Sequence, residues 1–185
     1  MSTTSWTIDP THSMIEFSVK HMMFTTVRGK FGAVEGTVHL DTEDPMASAV
    51  EVEIESAGID TGVEDRDTHL RSPDFFDVEQ YPLIRFRSTK VSGSLVEGGS
   101  FEVSGDLTIR GVTRELVLEA SFEGTGTDPW GGTRAGFSAS TTIDRRDLDL
   151  TWNQALETGG VLVGHDVKIG LQVQVVQAQP DGTNG

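Results

Sequence analysis

Residues 105–122 read GDLTIRGVTRELVLEASF. Leu107 and Ile109 alternate with Thr108 and Arg110, and after Gly111, Val112 and Thr113 the alternation resumes at Leu116, Leu118, Ala120 and Phe122. Period-2 apolar spacing on both sides of a Gly-containing turn predicts a β-hairpin with one wet face and one buried face. A hairpin cannot bury its apolar face alone. The rest of the chain must therefore supply the surface on which this one packs.

Outward from the hairpin, the same alternation recurs. Phe101 and Val103 extend its first arm, and a turn at Glu97-Gly98-Gly99-Ser100 precedes them. Ile84 and Phe86 oppose Arg85 and Arg87; Val50, Val52 and Ile54 oppose Glu51, Glu53 and Glu55. Those glutamates would guard the strand against edge-to-edge pairing if it lies at an edge. Near the start, Ile15, Phe17 and Val19 alternate with Glu16, Ser18 and Lys20, and HMMFTTVRG follows as a connection. Lys30 to Leu40 resumes as one strand whose apolar parity changes between Phe31/Ala33 and Val38/Leu40; with Gly32 and Gly36 inside it, a bulge or sharp bend is expected. After the hairpin, GTGTDPWGG reads as a loop, and Thr133 to Ile143 alternates through Ala135, Phe137, Ala139 and Thr141. Residues 144–160 read as a long loop with a short helical piece, and the last strand runs from Val161 to Val175.

One stretch breaks the period. Thr61-Gly-Val-Glu64 fits a capping box, which predicts a helix to about Arg71 with Val63 and Leu70 on one side, ended by Pro73. Asp74-Phe75-Phe76-Asp77 and Tyr81-Pro82 follow as an aromatic connector.

About eight strand segments joined by short turns, with one helix, imply an all-β antiparallel fold of sequential neighbours. Long strands with mid-strand glycines favour a closed, mostly up-and-down barrel over a sandwich. A barrel of this size either holds one ligand or fills itself with side chains. Its inward parity mixes large residues (Phe17, Phe86, Phe101, Phe137) with small ones (Ala33, Ala120, Ala135, Ala139), and this leaves both outcomes open. One domain over 5–177 is expected, with disordered segments at 1–4 and 178–185.

Bulk composition excludes several functions. The net charge is -15, from 14 basic and 29 acidic residues, so phosphate backbones and anionic lipid surfaces are repelled and nucleic acid is not an expected partner. With no cysteine there is no disulfide, thiolate metal site or cysteine nucleophile. The N-terminus lacks the pattern of a signal peptide and no apolar run would span a bilayer, so a soluble, cytoplasmic protein without membrane insertion is expected. Chemistry-bearing motifs are also lacking. Gly136-Phe-Ser138-Ala-Ser140 lacks the second glycine of a nucleophile elbow. His12, His21, His39, His69 and His165 show no metal-ligand spacing, and no Gly-rich phosphate loop opens a helix. Asp144-Arg145-Arg146-Asp147 reads as a charge run, solvated or internally paired. The loop aromatics Phe24, Phe75, Phe76 and Trp152 either plug the barrel ends as core or gate an opening.

Taken together, four segments resemble the YceI-like family. They are Trp6-Thr-Ile-Asp9-Pro-Thr-His12-Ser13 with Val19-Lys-His21; His69-Leu70 through Asp74-Phe75-Phe76-Asp77 to Tyr81-Pro82 and Phe86-Arg-Ser88-Thr89; the hairpin from Gly105 to Thr113; and Val163-Gly164-His-Asp166-Val-Lys168-Ile. They span roughly residues 5–177 in order. The resemblance implies a lipocalin-like barrel whose apolar cavity takes a polyisoprenoid or similar lipid, with no catalytic residue, no metal and no cofactor. It also implies that some relatives are exported. Phe17, Phe31, Ile54, Phe86, Leu107, Leu118, Phe137 and Ala139 then become ligand-contacting wall, and His21, Phe24, Phe75, Phe76 and Trp152 contacts near the ends. A polar head would meet donors such as His21, Arg28, His69 or Arg145. The leading expectation is a non-enzymatic carrier or store of a long isoprenoid-type lipid. Two rivals stand beside it: an enzyme acting on an isoprenoid or quinone at the barrel mouth, and an interaction module with a filled barrel that pairs as a homodimer through exposed strands.

Overall fold

The computed structural model describes residues 3–178. Its first six strands form three bent staves. β1 (Thr4–Ile8) and β2 (Met14–His21) run one way, β3 (Thr25–Phe31) and β4 (Val34–Leu40) return, and β5 (Ala49–Glu55) and β6 (Ile59–Asp60) run forward again. A helix, α1 (Glu64–Arg71), leads to β7 (Leu83–Gly93), β8 (Ser100–Ile109), β9 (Val112–Thr127), β10 (Thr133–Asp144) and β11 (Val163–Gln177). β2 pairs with β3 and β1 with β4; β4 pairs with β5 and β3 with β6. β5 pairs with β7, and from β7 onward each strand pairs with the next, through β8, β9 and β10 to β11. β11 then closes the ring against β2 through its first part and β1 through its last. The result is an antiparallel up-and-down barrel of eight staves, as the alternation and the sequential turns predict.

The hairpin that anchors the reading forms β8 and β9. Ile109 faces Val112 across a two-residue turn, with Arg110 at φ +52° and Gly111 at φ +72°. That left-handed pair matches the twist of the strands it joins. Phe101, Val103, Leu107, Ile109, Ala120 and Phe122 are buried. Gly105 is required by a close approach: a Cβ there would meet the Phe86 ring and the Arg87 carbonyl oxygen, each at 2.5 Å. Gly105→Ala is expected to cost about 1–3 kcal/mol in urea unfolding. Gly170→Ala, where a Cβ meets nothing within 4 Å, should be near neutral.

Several local expectations are corrected. The parity change between Lys30 and Leu40 is the sharp bend of the two alternatives rather than a bulge, and it divides the expected single strand in two. β3 and β4 are separate, joined at Ala33, whose φ is +51°, and they pair with different partners. The connection expected over HMMFTTVRG is confined to a tight turn at residues 22–24, and Thr25 onward is the extended β3. The capping box does not form, since α1 has no side-chain cap and Val63 is exposed. Both the N–H and hydroxyl of Thr61 instead donate to the buried Asp67 carboxylate, a stronger, charged acceptor. β5 is no edge strand: it lies between β4 and β7, and Glu51 and Glu53 sit opposite Arg87 and Arg85 with N–O distances of 2.8 and 3.4 Å. β1 begins at Thr4, inside the segment expected to be disordered, and β9 continues to Thr127 before the turn at Asp128. The expected disorder at 1–2 and 179–185 lies outside the described residues.

Candidate functional site

Side chains that alternate into the barrel are not uniformly covered. On β8 the inward Phe101, Val103, Leu107 and Ile109 are buried. Across the interior, Leu116 and Leu118 of β9, Phe137 and Ala139 of β10, and Ile169 and Leu171 of β11 keep part of their surface uncovered despite the same inward parity. They border a cavity of about 270 Å³. In a filled barrel those side chains would meet atoms from the opposite wall. Here part of their surface meets open space.

Of the residues named from the sequence, Phe17, Phe31, Ile54, Phe75, Phe76, Phe86, Leu107, Leu118, Phe137 and Ala139 line this cavity. His21, Phe24 and Trp152 do not. His21 ends β2, opposite Thr25 and Val163. Phe24 is 83% exposed at the hairpin tip. Trp152 sits one layer out, with its ring centroid 4.6 Å from that of His69 and 5.4 Å from that of Phe75. The loop aromatics therefore divide: Phe75 and Phe76 are lining, Trp152 packs behind them, and Phe24 is outside. Phe76 meets Phe31 edge-on at 5.7 Å, and Phe31 meets Phe17 at 5.6 Å.

The lining is apolar apart from His39, Ser48, Ser138, Thr141 and Arg145. His69, named as a donor to a head group, is held by Asp74 at 2.8 Å. Arg145 was one half of an apparent charge run, but the run splits. Arg146 pairs outward with Asp144 at 2.6 Å, whereas Arg145 is 4% exposed. Its Nε donates to Gly164 O at 2.8 Å, Nη2 to Val163 O at 3.2 Å and Nη1 to Trp152 O at 2.9 Å and to Leu150 O. Burial lowers its pKa while the nearby Asp144 charge raises it. Arg145 is thus a clasp on the 149–163 segment rather than a free donor. Asn153 adds a second tie, donating to Val163 O at 2.7 Å and accepting from Val163 N–H at 3.0 Å. The clasp brings Leu150 into the lining beside Val163; residues 144–160 are the long loop with a short helical piece that the sequence predicts, but the reading gave Leu150 no place in the lining. Leu148 and Leu150, alternating with aspartates beside an arginine, were the available signal. Among the described residues no three His, Asp or Glu side chains converge in a way that would hold a metal ion.

A second polar cluster lies where β1 bends into β2. Asp9 accepts from Thr11 N–H and hydroxyl, sits 2.9 Å from His12 Nδ1 and receives Arg134 Nη1 at 2.7 Å; Arg134 also reaches Asp128 at 2.8 Å. The His12 contact, then Thr11 and Arg134, hold the Asp9 carboxyl well below its usual range. A depressed folded-state pKa stabilises the fold above the ordinary carboxylate value and loses that contribution as pH falls below it. Thermal unfolding followed from neutral pH downward should show this loss beginning below about pH 4. Asp9→Asn should lower Tm at neutral pH and flatten that acid limb.

A model of the YceI-like domain matches residues 6–175. A UPF0312 protein of Ectopseudomonas mendocina strain ymp is 39% identical over 140 residues, 76% of this chain and 72% of the relative. The crystal structure of Burkholderia cenocepacia BcnA superposes with a TM-score of 0.77 at 20% identity, covering 90% of this chain and 98% of that one. A polyisoprenoid binding domain from Saccharophagus degradans, implicated in plant cell wall breakdown, gives a TM-score of 0.69 at 14% identity over 95% of this chain and 99% of that one.

Proposed function

The chain belongs to the YceI-like family, and from that premise we propose that it binds a long apolar lipid of the isoprenoid class inside its barrel, as a non-enzymatic carrier or store. One observation carries the reading: inward apolar side chains of β9, β10 and β11 stand partly uncovered around a cavity of about 270 Å³. Exposed apolar surface inside a fold is costly unless something covers it, and each Å² removed from water contributes about 25 cal/mol before the costs of binding. The similarity in fold to a polyisoprenoid binding domain supports the same ligand class.

The lining also sets the kind of recognition. With few polar side chains along the wall, a ligand is held by shape and apolar area, and its polar head stays at an end of the barrel. The volume is just below the range of ordinary small-ligand pockets, so it takes part of a long chain unless lining side chains rotate aside.

Organic extraction of protein purified from cells without detergent, followed by mass spectrometry, tests the proposal. The expected result is an apolar species in near-stoichiometric amount that a control protein prepared alongside lacks. Extracts indistinguishable from the control would overturn it.

A further inference from the structure

The turn between β2 and β3 is built against local preference. Met22 and Met23 lie at φ +52° and +66°. They are the central pair of a β-turn closed by Phe24 N–H to His21 O at 3.2 Å, within a three-residue connection; a central pair of this hand ordinarily carries Asn, Asp or Gly, because a side chain at positive φ is strained. The β8–β9 turn follows that rule in part by placing Gly111 at its second position. Here two long apolar side chains occupy the strained positions, and both are exposed, at 43% and 57%; Phe24 beside them is 83% exposed. Neither core packing nor turn geometry asks for this sequence.

Charge gives the tip an orientation. Lys20 and Arg28 are the basic residues nearest the tip in a chain whose net charge is -15, whereas Lys30, farther along β3, lies between Glu16 and Asp60 on the neighbouring strands. Lys20 and Arg28 are exposed and share the outward parity of the hairpin. Met23 also lies beside Gly160, so the tip flanks the segment that closes this end of the barrel.

We propose that the β2–β3 tip docks the protein peripherally on an anionic lipid bilayer. Met22, Met23 and Phe24 enter the interface, and Lys20 and Arg28 face the head groups. The overall negative charge opposes the approach, but it acts through solvent that screens it beyond about 8 Å, whereas the tip residues and Lys20 beside them make direct contact. The inference is independent of what the cavity holds.

Co-sedimentation with vesicles of phosphatidylcholine and phosphatidylglycerol tests it. Wild-type protein should sediment with them, and Phe24→Ser should weaken partitioning by about tenfold or more. Met22→Asn with Met23→Gly, which restores a preferred turn, should raise Tm while weakening binding to a similar degree. Trp130→Ser is the control: Trp130 is 85% exposed in the β9–β10 turn at the opposite barrel end, tied through its N–H to Asp128, and its loss should leave binding unchanged. Failure of wild type to sediment would overturn the proposal and leave the tip to a protein partner. Equal binding by Phe24→Ser, or an equal loss in Trp130→Ser, would overturn it as well.

Discussion

Ala139→Trp is expected to abolish uptake of an isoprenoid-type lipid while leaving the barrel folded. Ala139 faces inward from β10, opposite Ala120 of β9 and Leu171 of β11, and borders the cavity. An indole placed there would take up much of the 270 Å³ that a chain would otherwise occupy. Inserting a large side chain into a packed core usually strains it by about 1–3 kcal/mol. Here the added atoms enter open space and gain contacts that the empty wall lacks. The two readouts therefore separate. Binding of a fluorescent polyprenyl analogue should fall to background, while the urea midpoint should hold or rise. A marked loss of stability would show that the interior is already filled at this position, and unchanged uptake would place the ligand elsewhere.

Arg145→Met should have the largest effect on the fold itself. The side chain is nearly isosteric along its stem, so the change removes the guanidinium and little else. It leaves the carbonyls of Leu150, Trp152, Val163 and Gly164 without their shared donor. Unsatisfied buried acceptors cost about 1–3 kcal/mol each, less where water can reach them, so a total of about 2–4 kcal/mol and a Tm drop of roughly 10 °C are expected. The damage should concentrate in the 149–163 segment, where limited proteolysis would detect earlier cleavage. Trp152 would lose its seat against His69 and Phe75, and the barrel would lose its cover at that end. Wild-type proteolysis and Tm in the variant would show that Asn153 alone holds the segment.

The strands were legible wherever one face is wet and the other buried. Val50–Glu55, Ile84–Arg87 and the β8–β9 hairpin alternate because the wall has two distinct sides. The first three staves were harder to read. Each is bent, and a bend resets the parity by which a strand is recognised, as at Ala33. β1 spans five residues, too few for its alternation of Trp6 and Ile8 to stand out. The cavity was not legible from the alternation and was expected only through the family resemblance. Parity says which side chains point inward, but not whether the opposite wall reaches them, so Leu118 and Ala139 read alike in a filled barrel and an open one. Depth was hidden for the same reason: Phe24, Phe75 and Trp152 are all aromatics in connections, yet they lie outside, against and behind the cavity respectively. Arg145 was misplaced because neighbouring charges resemble a solvated run until the carbonyls that bind one of them are seen.

The most direct measurement is a crystal structure of the protein as purified from cells. The account predicts continuous elongated density in the barrel, bounded by Leu118, Ala139 and Leu171, that no protein atom or buffer molecule explains. Inward side chains of β9, β10 and β11 meeting those of β5 and β7 across a closed interior would contradict it.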